Sequence, residues 1–402
     1  MVVANWSNPS VGLDCGYDPH FYEQTMTNPT AVEPMIADQV TTESIKYAGS
    51  KRKLIPDILR LVGKTDAKTI LDGFSGSTRV SQAFNHAGYQ VIANDLAAWS
   101  EVLGTCYLLN TKPRSSYQEL IDHLNAVPAK AGWFTKYYGG EAKDRSKVQS
   151  SGLKKPWQQH NTRKLDAIRE EIDTLSLSNL ERAVAITSLM LALDRVDSTL
   201  GHFVSYLKEW SARSFQELSL EVPQVSPNCA GHEVRRGDVF EVTSREVDLA
   251  YFDPPYGSNN EKMPPSRVRY AAYYHLWTSI CLNDRPPLFG KALRRADSSD
   301  PIAATVFEEF RRNSDTGRFL AVEAIERLVS ETRARWILLS YSSGGRATAD
   351  ELYQVLEQAG TILEIREVDH KRNVMSGMTW THDWVREAQQ PNREFLFLIN
   401  KH

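Results

Sequence analysis

No apolar run in this 402-residue chain is long enough to cross a bilayer, so no membrane-spanning segment is expected. Cysteine is scarce. The four, Cys15, Cys106, Cys229 and Cys281, lie far apart with no pair at metal-ligand spacing. Ten histidines form no ligand cluster either, so neither a disulfide framework nor a metal centre is expected. The start, Met1-Val2-Val3-Ala4-Asn5-Trp6, lacks a basic stretch leading into an apolar one, and a cytoplasmic location is expected. Charge of one sign is also missing, the net being −3. That argues against a uniformly basic coat but leaves room for a local basic patch.

What is present is ordinary soluble composition arranged unevenly. Residues 1–43 carry Asn, Pro, Thr and Gly with little periodicity and are expected to be an irregular extension. Order begins at Ile45, with an amphipathic helix near Leu54–Val62. Thr69-Ile70-Leu71-Asp72 predicts a buried strand, Gly73-Phe74-Ser75-Gly76-Ser77 a tight turn, Arg79–Ala87 a helix and Gln90-Val91-Ile92-Ala93 a second strand. Strand, glycine turn, helix and strand open a parallel α/β sheet. Residues 111–230 are then polar and helix-like. Strand signals return at 233–236 and 247–252, an irregular stretch is expected over 257–300, and strands and helices alternate again from Trp336 to Ile399. The expected architecture is one α/β domain, residues 44–110 and 231–402, interrupted by a mainly helical insertion over 111–230.

The strongest chemical signal is Asp253-Pro254-Pro255-Tyr256, directly after the apolar run Leu249-Ala250-Tyr251-Phe252. Open α/β sheets bind ligands at the carboxyl ends of their strands. Two prolines stiffen the backbone and remove two amide donors, leaving carbonyls, the Asp253 carboxylate and an aromatic ring. An adenine N6 amine needs such acceptors, because its lone pair is delocalised into the ring. Hydrogen bonds to Asp253 and the Pro254 carbonyl favour a tetrahedral nitrogen, with Tyr256 stacked on a flipped base. A plain Pro-rich turn with a capping Asp has the same letters, so the motif is ambiguous alone. Asp72 to Ser77 suits close backbone approach to a ligand. Asp95 suits ribose hydroxyls, or equally a helix N-cap. Lys46-Tyr47-Ala48-Gly49-Ser50-Lys51-Arg52-Lys53 packs four cations into eight residues, for a carboxylate, for phosphates or for solvent.

The order of these elements resembles that of the Dam-like, alpha-group adenine-specific DNA methyltransferases. Their sequence of motifs is a Lys-aromatic-x-Gly-x-Lys segment, a Phe-x-Gly turn, a DNA-recognising insertion and Asp-Pro-Pro-Tyr. Gly237-Asp238-Val239-Phe240 is similar to the family's Gly-Asp-Phe segment, and Tyr270–Trp277 to its following aromatic stretch. The resemblance implies a Rossmann-like class I S-adenosylmethionine-dependent methyltransferase fold and a site-specific N6-adenine reaction. It places Lys46 and Lys51 near the methionine carboxylate or the target-base pocket, and Tyr47 against the adenosine. Asp72, Phe74 and Gly76 would line the methionine part, Asp95 the ribose and Asp238 the cofactor adenine. Ser77 and Thr78 depart from the family's second glycine, so a shifted cofactor pose is expected.

Duplex DNA is the expected partner, with a cognate restriction endonuclease where the chain serves a restriction–modification system. Lys143, Arg145 and Lys147, set among Trp133, Tyr137, Tyr138 and Trp157, are the expected phosphate contacts. A solvated loop explains the same residues. A second basic stretch, 262–295, flanks the catalytic motif. RNA adenine as substrate, or a catalytically dead DNA-binding protein on the same fold, are the rival readings.

Overall fold

The computed structural model describes residues 40–47, 49–142, 148–149, 155–228, 230–257, 270–369 and 393–402. Seven strands form the central sheet: β1 (Thr69–Asp72), β2 (Gln90–Asp95), β3 (Glu233–Arg236), β4 (Val247–Phe252), β5 (Ala334–Ser342), β6 (Gly360–Asp369) and β7 (Arg393–Lys401). Their order is β3-β2-β1-β4-β5-β7-β6. The first five positions are parallel, and β7 runs antiparallel between β5 and β6. A mixed α/β sheet of this kind, parallel apart from one strand, is the α/β architecture the sequence leads one to expect.

The strands are apolar on both sides because helices cover both faces. Ile70, Val91, Leu249, Leu338 and Leu396 pack against helices α1 (Ile55–Val62) and α2 (Arg79–His86). The alternate residues Leu71, Ile92, Ala250, Ile337 and Phe397 pack against α11 (Leu320–Glu331) and α12 (Ala349–Ala359). The period of two along each strand thus divides one apolar run between two cores.

The insertion lies between β2 and β3. Its helices are α4 (Gln118–Ala126), α5 (Trp133–Tyr138), α6 (Gln159–Thr174) and α7 (Asn179–Arg195). Before it runs α3 (Ala98–Leu108), which sequence patterning did not reveal. The stretch 257–300, expected to be irregular, is more regular in its described part from Tyr270 on, with α8 (Tyr270–Tyr273), α9 (His275–Leu282) and α10 (Asp300–Ala303) within it or across its end. Trp99 and Leu103 of α3, Leu165 and Leu189 of the insertion, and Tyr274 and Trp277 share one core. The insertion is therefore welded to the sheet domain through α3 and α9. Arg169, fully buried, strengthens the weld by donating to the carbonyls of Ile280 (2.6 Å) and Cys281 (3.1 Å). Among the described residues no helix is long and apolar enough to cross a membrane.

Candidate active site

Four aspartates stand at the carboxyl ends of four neighbouring strands. Asp238 follows β3, Asp95 ends β2, Asp72 ends β1 and Asp253 follows β4. All four line one cavity of about 800 Å³. The chain leaves β1 towards one flank of the sheet and returns at β4 after the insertion, which opens the crevice where α/β folds take ligands.

The turn after β1 forms the cavity floor. A Cβ on Gly73 would lie 2.7 Å from the Phe252 ring and 3.1 Å from Val239, so packing against β4 demands glycine there. Gly76 adopts a φ of +46°, a left-handed conformation that glycine takes without strain, and its amide donates to Asp95 Oδ2 at 2.8 Å. The Ala97 amide donates to the other Asp95 oxygen, also at 2.8 Å. Burial raises the Asp95 carboxyl while these amides work against the rise. Ser77 is buried and lines the cavity; Thr78 turns its hydroxyl away to accept from Gln82 Nε2.

Asp72 is the unusual member. It is 1% exposed, and its Oδ2 accepts from Ser81 Oγ at 2.5 Å. Its other oxygen has no partner among the described residues. Burial pushes the carboxyl up to about 7. A buried acceptor left unsatisfied is costly, and a cationic or hydrogen-bonding partner removes that cost. Next to the Phe74 ring the cavity is lined by aromatic side chains. Phe240 and Phe307 stack with centroids 5.8 Å apart, and the Arg327 guanidinium lies 4.2 Å from the Phe240 centroid. Asp238 caps the short turn there, accepting from the Phe240 amide at 3.0 Å.

The Asp253 turn is held from two sides. The Arg346 amide donates to the Tyr256 carbonyl at 2.8 Å, and the Tyr256 ring packs edge-on against Tyr341 at 5.0 Å. Lys51 Nζ sits 2.9 Å from Asp253 Oδ1 and 2.9 Å from Glu394 Oε1, and also donates to the Tyr256 hydroxyl. That hydroxyl lies 2.6 Å from Asp253 Oδ1 and 2.7 Å from Glu394 Oε1. Burial raises Asp253 to about 6; the Lys51 ammonium opposes the rise and the Glu394 carboxylate adds to it. For Lys51, burial favours loss of the proton, but Asp253 and Glu394 outweigh it and hold the ammonium above its usual range.

Of the residues the sequence singles out, Tyr47, Lys51, Asp72, Phe74, Gly76, Asp95, Asp238 and Asp253 come together around the cavity. Tyr47 stacks on Tyr274 with centroids 4.8 Å apart and lies over the Gly76 turn. Pro254 is buried behind Asp253, and Tyr256 turns its hydroxyl into the Lys51 cluster. Lys46 does not join them. Its Nζ turns to the insertion, 3.0 Å from Asp197 Oδ1, where it ties the first motif to the segment after α7.

Lys143, Arg145 and Lys147 lie outside the described residues, as do Lys262, Arg267 and Arg269. Two aromatics set among the first group are core residues rather than exposed stacking platforms. Trp157 and Tyr138 are fully buried, and the Tyr138 hydroxyl donates to the Leu293 carbonyl at 2.7 Å. Arg295 in the second stretch is likewise spent internally, on Asp284 and Asp297.

Sequence reasoning missed Glu394. The signal was nonetheless present: Glu394 shares strand parity with Leu396 and Leu398, both buried, so it stands on a buried face. An acid at such a position is rare unless it is paired.

A family model described as D12 class N6 adenine-specific DNA methyltransferase matches residues 47–311. The chain is 26% identical over 351 residues to the modification methylase StsI of Streptococcus sanguinis, covering 82% of this chain and 48% of that protein. It thus spans about half the length of that relative. It is 25% identical to the type II methyltransferase M.NlaIII of Neisseria lactamica, over 79% of this chain and 89% of the relative. To the type II methyltransferase M2.HphI of Haemophilus parahaemolyticus it is 25% identical, over 88% of this chain and 97% of the relative.

Proposed function

The chain belongs to the D12 class of N6 adenine-specific DNA methyltransferases, and from that premise we propose that it methylates the N6 of an adenine flipped out of duplex DNA, with S-adenosylmethionine as donor. The observation that carries this reading is the placement of Asp253. It stands beside two rigid prolines, faces the cavity ringed by three other aspartates, and is backed by a buried ammonium.

The residues present fit the proposed donor. The unpartnered oxygen of Asp72 suits an α-ammonium, Asp95 suits ribose hydroxyls, and the Phe240–Phe307 end with Asp238 suits an adenine. When bound, the cofactor supplies an electrophilic methyl group on sulfur. The protein's part is orientation and hydrogen bonding. Asp253 accepts one N6 hydrogen and the Pro254 carbonyl the other, which draws the nitrogen towards tetrahedral geometry and frees its lone pair. The Tyr256 ring supports the flipped base while its hydroxyl stays in the Lys51 cluster. Asp253 is also placed to take the proton that the amine sheds after transfer.

The relatives named above are modification and type II methylases. The proposed setting is accordingly a restriction–modification system or a solitary methylase, with duplex DNA held partly by Lys143, Arg145 and Lys147. Asp253→Ala and Asp253→Asn are expected to abolish N6-methyladenine formation on duplex DNA while cofactor binding persists. Retained methylation in either variant would sink the assignment. Methyl transfer to duplex DNA, single-stranded DNA and RNA compared side by side tests the substrate; a preference for RNA would overturn it.

A further inference from the structure

We propose that Glu394 is a positioning residue for methyl transfer: it shares the Lys51 ammonium with Asp253, so that the Asp253 carboxylate is not neutralised as an acceptor by a one-to-one ion pair. This rests on the reading of Asp253 as the acceptor of the N6 amine.

The argument starts from donor counting. Asp253 Oδ1 and Glu394 Oε1 are approached by the same two donors, the Lys51 ammonium and the Tyr256 hydroxyl. The hydroxyl has one proton and can satisfy only one carboxylate. Glu394 Oε1 has a further donor, Ser340 Oγ at 2.8 Å, which Asp253 lacks. The tyrosine proton is therefore best used on Asp253, with Glu394 held by Lys51 and Ser340. Without Glu394, the ammonium would have Asp253 as its sole carboxylate partner. The resulting tight pair would draw charge from the group that must accept from a weakly basic amine. With Glu394, two carboxylates share one cation and the cluster keeps a net negative charge next to the nitrogen that becomes positive during transfer.

Burial makes the arrangement specific rather than incidental. The Lys51 and Glu394 side chains are 5% and 3% exposed, so neither charge is relieved by water. An uncompensated charge there is strongly unfavourable, which fixes the ammonium between its two partners. The groups that face Glu394 come from every element around it. Lys51 comes from the turn before α1, Asp253 and Tyr256 from the loop after β4, Tyr251 from β4 itself, Ser340 from β5 and Tyr270 from α8. Its neighbour Arg393 is spent on Glu367.

The test is Glu394→Gln, which keeps the shape and removes the charge, with Glu394→Asp as the charge-keeping variant. Single-turnover methylation, cofactor affinity and thermal stability are measured across pH. Glu394→Gln is expected to lower kcat roughly tenfold or more with cofactor affinity unchanged, the pattern of a lost transition-state interaction. Loss of the neighbouring negative charge is expected to move the acid limb of the kcat profile to lower pH, because Asp253 then ionises more easily. Glu394→Asp is expected to restore the wild-type limb and part of the rate. A lower kcat with an unmoved limb would reduce Glu394 to a structural prop and overturn the proposal, as would wild-type kcat. Asp253→Asn is run beside them. An active Asp253→Asn overturns the reading of Asp253, whereas an inactive one with an unaffected Glu394→Gln overturns only the role of Glu394.

Discussion

At the scale of single residues, Asp72 is the group whose chemistry is most exposed to pH. Its carboxyl sits at about 7 in the folded protein because burial opposes its charge. An unfolded aspartate titrates near ~3.9. The folded value is the higher one, so this group's contribution to the stability of the free protein is fully present below about 4 and lost as pH rises through about 7. A bound cation reverses the preference, since it favours the ionised carboxylate. Cofactor affinity is therefore expected to rise, by up to about tenfold per pH unit, as pH climbs towards 7, and to level off above it. Calorimetric titration with S-adenosylmethionine between about pH 5.5 and 8 reads this directly. Asp72→Asn should bind more weakly and lose the slope. A wild-type affinity that does not change across that window would show that Asp72 does not meet a cation.

At the scale of elements, the contact that shapes the site is between the turn after β1 and the end of β4. Gly73 abuts Phe252, which is fully buried and has no room to retreat. Gly73→Ala is expected to cost about 1–3 kcal/mol of stability by overpacking. It should also weaken cofactor binding, because the shift separates Asp72 from Asp253. Denaturant unfolding paired with calorimetry checks both, and an alanine variant with wild-type stability would mean the turn yields more easily than its packing implies. The strands on either side of this contact were legible in advance, because a strand buried on both faces is a short apolar run ending in turn residues. The direction of β7 was not, since antiparallel pairing with β5 depends on partners 50 or more residues away. Helix α3 escaped detection for a related reason. Its Leu108 faces the sheet core and its Leu103 the insertion core, so it shows no single apolar stripe. Helix α11 did carry such a stripe, in Val322, Ile325 and Val329, and was overlooked. Of the site, the four strand-end aspartates were readable from position. The pairing of Lys51 with Glu394 was not, because nothing local links residues so far apart.

At the scale of the whole molecule, a chain of net charge −3 must meet DNA through local charge rather than its total. The insertion offers a frame for such a patch. Gln149, which follows Lys143, Arg145 and Lys147 in sequence, donates through Nε2 to the carbonyls of Lys155 (3.1 Å) and Leu207 (3.2 Å). That frame shares its core with α3 and α9, and through them with the walls of the cavity. Charges carried there would add affinity without touching the cofactor. Replacing all three with Gln is expected to weaken binding to any duplex, cognate or not, since phosphate contacts carry no sequence information. Each lost contact should also flatten the dependence of log affinity on log salt by about 0.9, or roughly 2.7 for three. Cofactor affinity and the acid limb of the methylation profile should stay where they are, because Asp72 and Asp253 lie at the strand ends and not in the insertion. Fluorescence anisotropy with a labelled duplex over a range of salt separates the cases. A triple variant with an unchanged salt slope would place the DNA elsewhere on the molecule, and a loss confined to one sequence would mean these side chains read bases instead of phosphates.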